Sequence, residues 1–197
     1  MKTVIGLVGE ALAGKETFVR LFRKVAEPTT IGHHKSGDVL ADTFRAWGGT
    51  IPFSRENAQR LVWAIEQEFG RGRLARAVAK RIENDPSEIV FYDGVRWHYD
   101  VEVIKTFPRH LIVYVTADEQ VRYERAKKRK LEAGGKIGEN VITLWQFRNE
   151  ARHETEMYIP GIGAKDASWK IVNNDDSEER YLEDIRNFYN LMGALIK

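Results

Sequence analysis

The chain has 197 residues, of which 43% are hydrophobic and 30% charged, with a net charge of +2 and no cysteine. That length suits one domain with a full core, and charge so balanced argues against binding nucleic acid or a membrane surface through bulk attraction. Disulfides and thiolate metal sites are excluded, and no apolar run reaches the ~18 residues a membrane span needs, so a cytoplasmic protein is expected.

The apolar run Thr3–Val8, TVIGLV, is rich in β-branched residues and predicts a buried strand. It is too short for a secretion signal and runs directly toward Glu10. GEALAGKET, Gly9 to Thr17, follows at once. Phe18, Val19, Leu21, Phe22 and Val25 then recur at near-helical spacing. Ser36 or Asp38 is placed to cap a second helix carrying Val39, Leu40 and Phe44, which GGTIP ends. SREN opens a third helix with Leu61, Val62, Ile65 and Phe69 on its apolar face; GRGR interrupts, and LARAVAKRI resumes as helix. EIVFYDG predicts a buried strand closing on Asp93-Gly94, followed by a short helix around Val101 to Ile104. HLIVYVTA is the clearest buried strand, and DEQVRYERAKKRK a strongly basic helix. LEAGGKIGEN has the composition of a mobile loop, and TLWQFRNEARHETEM returns to helix. WKIV is a short last strand, after which NNDDS turns into a C-terminal helix from about Ser177.

Strands alternating with helices predict a parallel sheet covered on both faces. Ligands of such sheets sit beyond the carboxyl ends of the strands. The glycine loop, Asp93 and NNDDS all follow strands, so all three fall on that one edge.

The phosphate-loop pattern is G-x-x-x-x-G-K followed by Ser or Thr. Gly9, Gly14 and Lys15 fit, but Glu16 stands in the hydroxyl position and Thr17 comes one residue late. Backbone N–H groups along Gly9, Ala11, Ala13 and Gly14 would converge on phosphate oxygens, helped by the dipole of the following helix. Lys15 would reach the outer phosphates as a point charge. The plainer alternative is a tight strand–helix turn with a surface lysine.

G-K-x-T is common in nucleoside monophosphate kinases, and GKET, with its acidic residue in the gap, resembles the bacteriophage-type deoxynucleoside monophosphate kinases. SGDVLADTF, TIPFSRENAQRL, EFGRGRLARAVAKRI, VFYDGVRWHYDVEVIKTF, LIVYVTADEQVRYERAKKR and NEARHETE resemble, in order, segments of small P-loop kinases described as dephospho-CoA kinase-like or adenylate kinase-related. The likeness to the nucleoside monophosphate kinase superfamily spans nearly the whole chain. It implies an α/β, three-layer P-loop NTPase fold with a five-stranded parallel sheet over residues 1–197, a helical acceptor lobe near 36–83 and a lid near 122–156. It also implies ATP as phosphoryl donor with Mg2+, and a small nucleotide-like acceptor, either a (deoxy)nucleoside monophosphate or dephospho-CoA. The oligomeric state is not legible.

The same resemblance distributes roles. Asp93 would orient magnesium, partly through water, with Glu16 and Thr17 beside it; a simple Asp-Gly turn is the alternative. Arg96 lies three residues past Asp93, one short of the D-G-x-x-R spacing it resembles, whose arginine forks onto the acceptor's phosphate. Trp97 and Tyr99 would either wall the acceptor pocket or pack in the core. Arg55, Arg71 and Arg73 border the acceptor lobe, where Asp38 is a candidate base or hydroxyl orienter. Arg122, Arg125 and Arg129 share one helical face; with Arg152 they resemble lid arginines, and Arg125 and Arg152 would act on the transferring phosphoryl group. Asn173 and Asn174 occupy the position of an adenine-contacting loop and would act through backbone atoms. His33, His34, His98, His110 and His153 show no metal-ligand spacing. Neither N-K-x-D nor D-x-x-G after a strand occurs, which argues against a GTPase switch. An ATP-binding regulatory module of kinase fold, without a productive acceptor, is the competing reading.

Overall fold

All six residues of β1 (Thr3–Val8) are buried, because this strand lies at the centre of a five-stranded sheet. The strand order is β2-β3-β1-β4-β5, with β2 at Ile31–Lys35, β3 at Ile89–Val95, β4 at His110–Thr116 and β5 at Trp169–Val172. Every pairing is parallel. The computed structural model describes residues 2–132, 142–175 and 177–196; the side chains of Arg55, Glu150, Glu154 and Thr155 lie outside the described set.

Strand side chains alternate between two helical layers. Ile5, Leu7, Phe91 and Val113 face α1 (Lys15–Ala26) and α10 (Glu178–Leu195), where Phe18, Phe22, Ile185 and Phe188 complete a core. Val4, Val8, Val90, Tyr92 and Ile112 meet α4 (Arg73–Asn84), α5 (His98–Lys105) and α9 (Ile159–Asp166) through Val78, Ile82, Ile104 and Ile162. A smaller cluster of Leu40, Ala58, Val62 and Leu74 joins α2 (Ser36–Ala46) and α3 (Arg55–Phe69) to α4. Between β4 and α9 the chain adds α6 (Glu119–Glu132), α7 (Leu144–Ala151) and the short α8 (Glu154–Met157).

The expected strands at 3–8, 89–94, 110–116 and 169–172 are present, and β2 is added by the structure. Its sequence, IGHHK, has no apolar alternation, because β2 is an edge strand paired only to β3. Neither Ser36 nor Asp38 caps α2: Lys35 is the N-cap residue, and Ser36 Oγ lies 3.5 Å from Gly94 O instead. Ser54 and Ser177 do cap α3 and α10, accepting from Asn57 N and Arg180 N. The single helix expected over TLWQFRNEARHETEM is two, broken at Arg152 and His153. IPGIGAKD folds as α9 despite two glycines, with Pro160 in the first turn, where a missing N–H costs nothing. There a Cβ on Gly163 would lie 2.5 Å from the Tyr114 ring, so glycine permits the close approach to β4. Of the loop LEAGGKIGEN, residues 133–140 lie outside the described residues. Among the described residues no helix is long and apolar enough to cross a membrane.

Candidate active site

The chain leaves β1 into a tight loop held from three directions. A Cβ on Gly9 would sit 2.2 Å from Val115 O, so only glycine lets the loop pass the end of β4. Leu12 has φ 66°, a left-handed conformation that β-carbon sterics disfavour. Gly14 has φ 102°, and a Cβ there would lie 2.2 Å from Asn173 Nδ2. Asn173 is buried and donates through Nδ2 to Ala13 O at 2.9 Å. The Tyr181 hydroxyl donates to Gly14 O at 3.3 Å. The strain at Leu12 thus sits in a loop fastened to β5 and α10.

Lys15 opens α1 and folds back over this loop, its Nζ donating to Gly9 O at 2.6 Å and Glu10 O at 3.1 Å. Burial lowers its pKa, and the opposing pull of Asp93, Glu156 and Glu10 does not fully restore it. Asp93, at the end of β3, is buried and accepts a hydrogen bond from His33 Nε2 at 3.1 Å. Burial alone would raise the Asp93 carboxyl; His33 and the nearby lysines outweigh it and hold the group below the ordinary value. Lys35, opposite Asp93 in the β2–β3 register, forms an ion pair with Glu16 at 2.5 Å. That hydrogen bond keeps Glu16 below its ordinary range.

Two cavities open on these residues. A cleft of about 1000 Å³ runs along the loop and is lined by Lys15, Glu16, Thr17, Asp93, Arg122, Arg125 and Arg129. A cavity of about 390 Å³ lies toward α2 and α3, walled by Leu40, Phe53, Val62, Leu74, Trp97 and Ile159. Lys15, Asp93 and Arg96 line both. Arg96 is set in place by Asp100, whose Oδ2 accepts from the backbone N–H groups of Arg96 at 2.8 Å and Trp97 at 2.9 Å. The Tyr92 hydroxyl donates to the other carboxyl oxygen at 2.9 Å. Burial pushes the Asp100 carboxyl up to about 6 in spite of these donors. The Arg96 guanidinium forms an ion pair with the buried carboxylate of Glu156.

Of the expected ATP-side residues, Ala11, Gly14, Lys15, Glu16, Thr17, Arg122 and Asn173 line the cleft, Gly9 lines the cavity, and Ala13 is buried beneath the loop. Arg122 Nε donates to Ala117 O at 3.0 Å, and Arg125 reaches Leu12 O at 3.3 Å and Asn173 Oδ1 at 3.4 Å. Other expected residues stand apart from these two spaces. Arg152 is exposed and lines neither cavity, because the helix expected to carry it ends at Ala151. Asp38, Arg71 and Arg73 are exposed and line neither cavity; Arg73 Nε donates instead to Phe69 O. The side chain of Arg55 lies outside the described residues. Asn173 braces the loop through its side chain rather than through its backbone alone, and Asn174 Oδ1 accepts from Asp118 N at 2.7 Å. Trp97 walls the cavity, whereas Tyr99 stacks on it at 5.3 Å without lining either space.

His33, Lys35, Asp100 and Glu156 are the residues that sequence reading passes over. Their only sequence signals are short spacings: His33 and Lys35 two apart on one face of a strand, and Asp100 at the third position of α5, where a carboxylate reaches back to free N–H groups.

No family model matches the chain. A UPF0200 protein from Staphylothermus marinus is 30% identical over 201 residues, covering 100% of this chain and 95% of that one. The chain belongs to the UPF0200 family. Solved structures give this UPF0200 chain its fold: a shikimate kinase from Acinetobacter baumannii, in complex with shikimate, matches with a TM-score of 0.57 and 17% identity over 98% of this chain and 95% of that one. TT1252 from Thermus thermophilus matches at 0.59 and 17% over 98% of both. The five-stranded parallel sheet flanked by helices is the α/β fold of P-loop kinases.

Proposed function

We propose that the chain is a P-loop phosphotransferase that binds ATP in the larger cleft and moves its γ-phosphoryl group to a small acceptor in the adjoining cavity. The observation that carries this reading is the shared wall: Lys15, Asp93 and Arg96 line both spaces, so a group leaving one enters the other across them. The region of α2 to α4 is then the acceptor lobe, and α6 to α8 the lid.

Each residue has a chemical part. Lys15, now hydrogen-bonded to two loop carbonyls, is placed to exchange them for phosphate oxygens. Arg122, Arg125 and Arg129 supply positive charge along the far side of the cleft, where a transferring phosphoryl group spreads its charge. Transfer then needs positioning and charge stabilisation, with no covalent enzyme intermediate. Burial of the transfer point excludes water as a competing acceptor.

The donors fit magnesium. The Asp93 carboxylate is ionised and buried, the Thr17 hydroxyl lines the same cleft, and both are the oxygen donors this ion prefers. Glu16, paired with Lys35, is the weaker candidate. Phosphates and water would supply the ion's remaining ligands. Bound there, magnesium would neutralise charge on the outer phosphates.

A nucleoside monophosphate is favoured over dephospho-CoA as acceptor. The Arg96 guanidinium lining the cavity suits an acceptor phosphate; Asp38, the expected orienter of a ribose hydroxyl, lies outside both cavities, so dephospho-CoA would need Asp93 for that part. The test is an ATP titration by calorimetry. Wild type should bind ATP with magnesium in the micromolar range and Lys15→Ala much more weakly; equal affinities would reject the assignment of the cleft.

A further inference from the structure

Arg96 is already partnered by a carboxylate of its own chain. Glu156, in α8, is only 6% exposed and its Oε1 meets the Arg96 guanidinium. It lines the cleft with Lys15 and Asp93, and its charge acts on Lys15. The segment carrying it divides the two spaces. Met157 and Pro160 face the cleft, while Ile159 lines the cavity. At the other end of the segment, His153 Nδ1 lies 3.2 Å from Gln59 Nε2, and Gln59 is also a cavity residue. A buried acid in a lid segment, bonded to the arginine at the junction, has no part in the transfer described above.

We propose that Glu156 is the resident occupant of the anion position at Arg96, and that the acceptor displaces it with a phosphate monoester dianion rather than a carboxylate. This rests on reading Arg96 as the acceptor's anion-binding residue. A tethered carboxylate competes at an effective concentration of ~mM for short links. A free carboxylate presents the same group without the tether, so it exchanges only at concentrations above that range. A phosphate monoester brings roughly −1.5 to −2 charge at neutral pH and three acceptor oxygens, enough to outbid one carboxylate for a planar guanidinium fork. Glu156 therefore sets a threshold that admits phosphate esters and turns away carboxylate-anchored acceptors. Its release also frees the partition between cleft and cavity, so acceptor binding and opening of the passage are one event.

Calorimetric titration of the full chain with AMP and with gluconate, as probes of the two anion types, tests this. Glu156→Gln keeps the shape and removes the charge. AMP should bind about tenfold tighter to Glu156→Gln than to wild type, gluconate should become measurable, and adding Arg96→Ala should abolish both gains. Equal or weaker AMP binding by Glu156→Gln, or a gain that survives Arg96→Ala, would overturn the proposal; so would absence of AMP binding to both proteins. If Glu156→Gln does not fold, hydrogen exchange on wild type decides. Saturating AMP should speed exchange across residues 153–160, and unchanged exchange there refutes the displacement. No titration here contains ATP, so failure of the ATP site would be scored separately.

Discussion

The carboxylate of Asp93 is held by His33 across the seam between β3 and the edge strand β2, with 3.1 Å between Nε2 and Oδ2. Lys35, two residues further along β2, adds its charge to the same acid. The edge strand of the sheet thus supplies groups that keep the central acid ionised.

His33→Ala should remove a hydrogen bond to a charged group, worth about 1.5–3 kcal/mol. Because Asp93 is held below its ordinary value, its contribution to stability is present above that value and is lost as pH falls through the folded-state value. Urea unfolding should therefore show the full deficit at pH 7 and a shrinking one as pH drops below the usual carboxylate range. His33→Gln, which keeps a donor, should recover part of it. A deficit equal at all pH values would mean that His33 contributes only packing.

Asp100 carries the opposite sign. Its folded-state value is raised from 3.8 to about 6 by burial, so the folded protein binds more protons than the unfolded chain between those limits. Stability from this group is greatest below its unfolded value and declines as pH rises through the folded one, by roughly 3 kcal/mol at most. Asp100→Asn should flatten the pH dependence of unfolding between pH 4 and 6. It should also weaken acceptor binding, since Arg96 and Trp97 lose a charged anchor for their backbone N–H groups. An unchanged pH profile would place the titration elsewhere.

Gly14→Ala should damage both fold and site. The left-handed φ of 102° disfavours any side chain, and the new methyl would press on the Asn173 amide that satisfies Ala13 O. A loss of about 1–3 kcal/mol in stability is expected, with ATP affinity falling further than stability alone explains. Wild-type melting and affinity together would show that the loop conformation is not required.

The two lid arginines should separate. Arg125 touches the loop at Leu12 O and lines the cleft, whereas Arg152 is exposed in the turn after α7. Arg125→Ala should lower turnover more than ATP affinity, by up to ~10³-fold, because the contact strengthens in the transition state. Arg152→Ala should leave turnover within about twofold, as surface substitutions usually do. Comparable loss in both would restore Arg152 to the site.

The sheet was legible where burial on both faces left a continuous apolar run, as in Thr3–Val8 and His110–Thr116. It was illegible at β2, whose edge position and polar His33, His34 and Lys35 erase the apolar signal. Helix α9 was hidden for the reverse reason, its Gly163 reflecting close packing on Tyr114 rather than a loop. In the site, Lys15, Asp93 and Arg96 were readable because each sits at a fixed offset from a strand end. Their partners were not. His33 and Glu156 meet them only through tertiary packing, Glu156 lying 60 positions from Arg96, whereas Asp100 reaches Arg96 N locally, from four residues on.

The most direct test of the central claim is the initial rate of ADP release from ATP with magnesium, offered a panel of nucleoside monophosphates, their deoxy forms and dephospho-CoA. Wild type should turn over at least one monophosphate well above the rate without acceptor. Lys15→Ala, folded as judged by melting, should fall to that background, since the lysine contacts two loop carbonyls and no core group. Wild-type turnover in Lys15→Ala, or no acceptor-dependent release from a wild-type protein that binds ATP, would contradict the account.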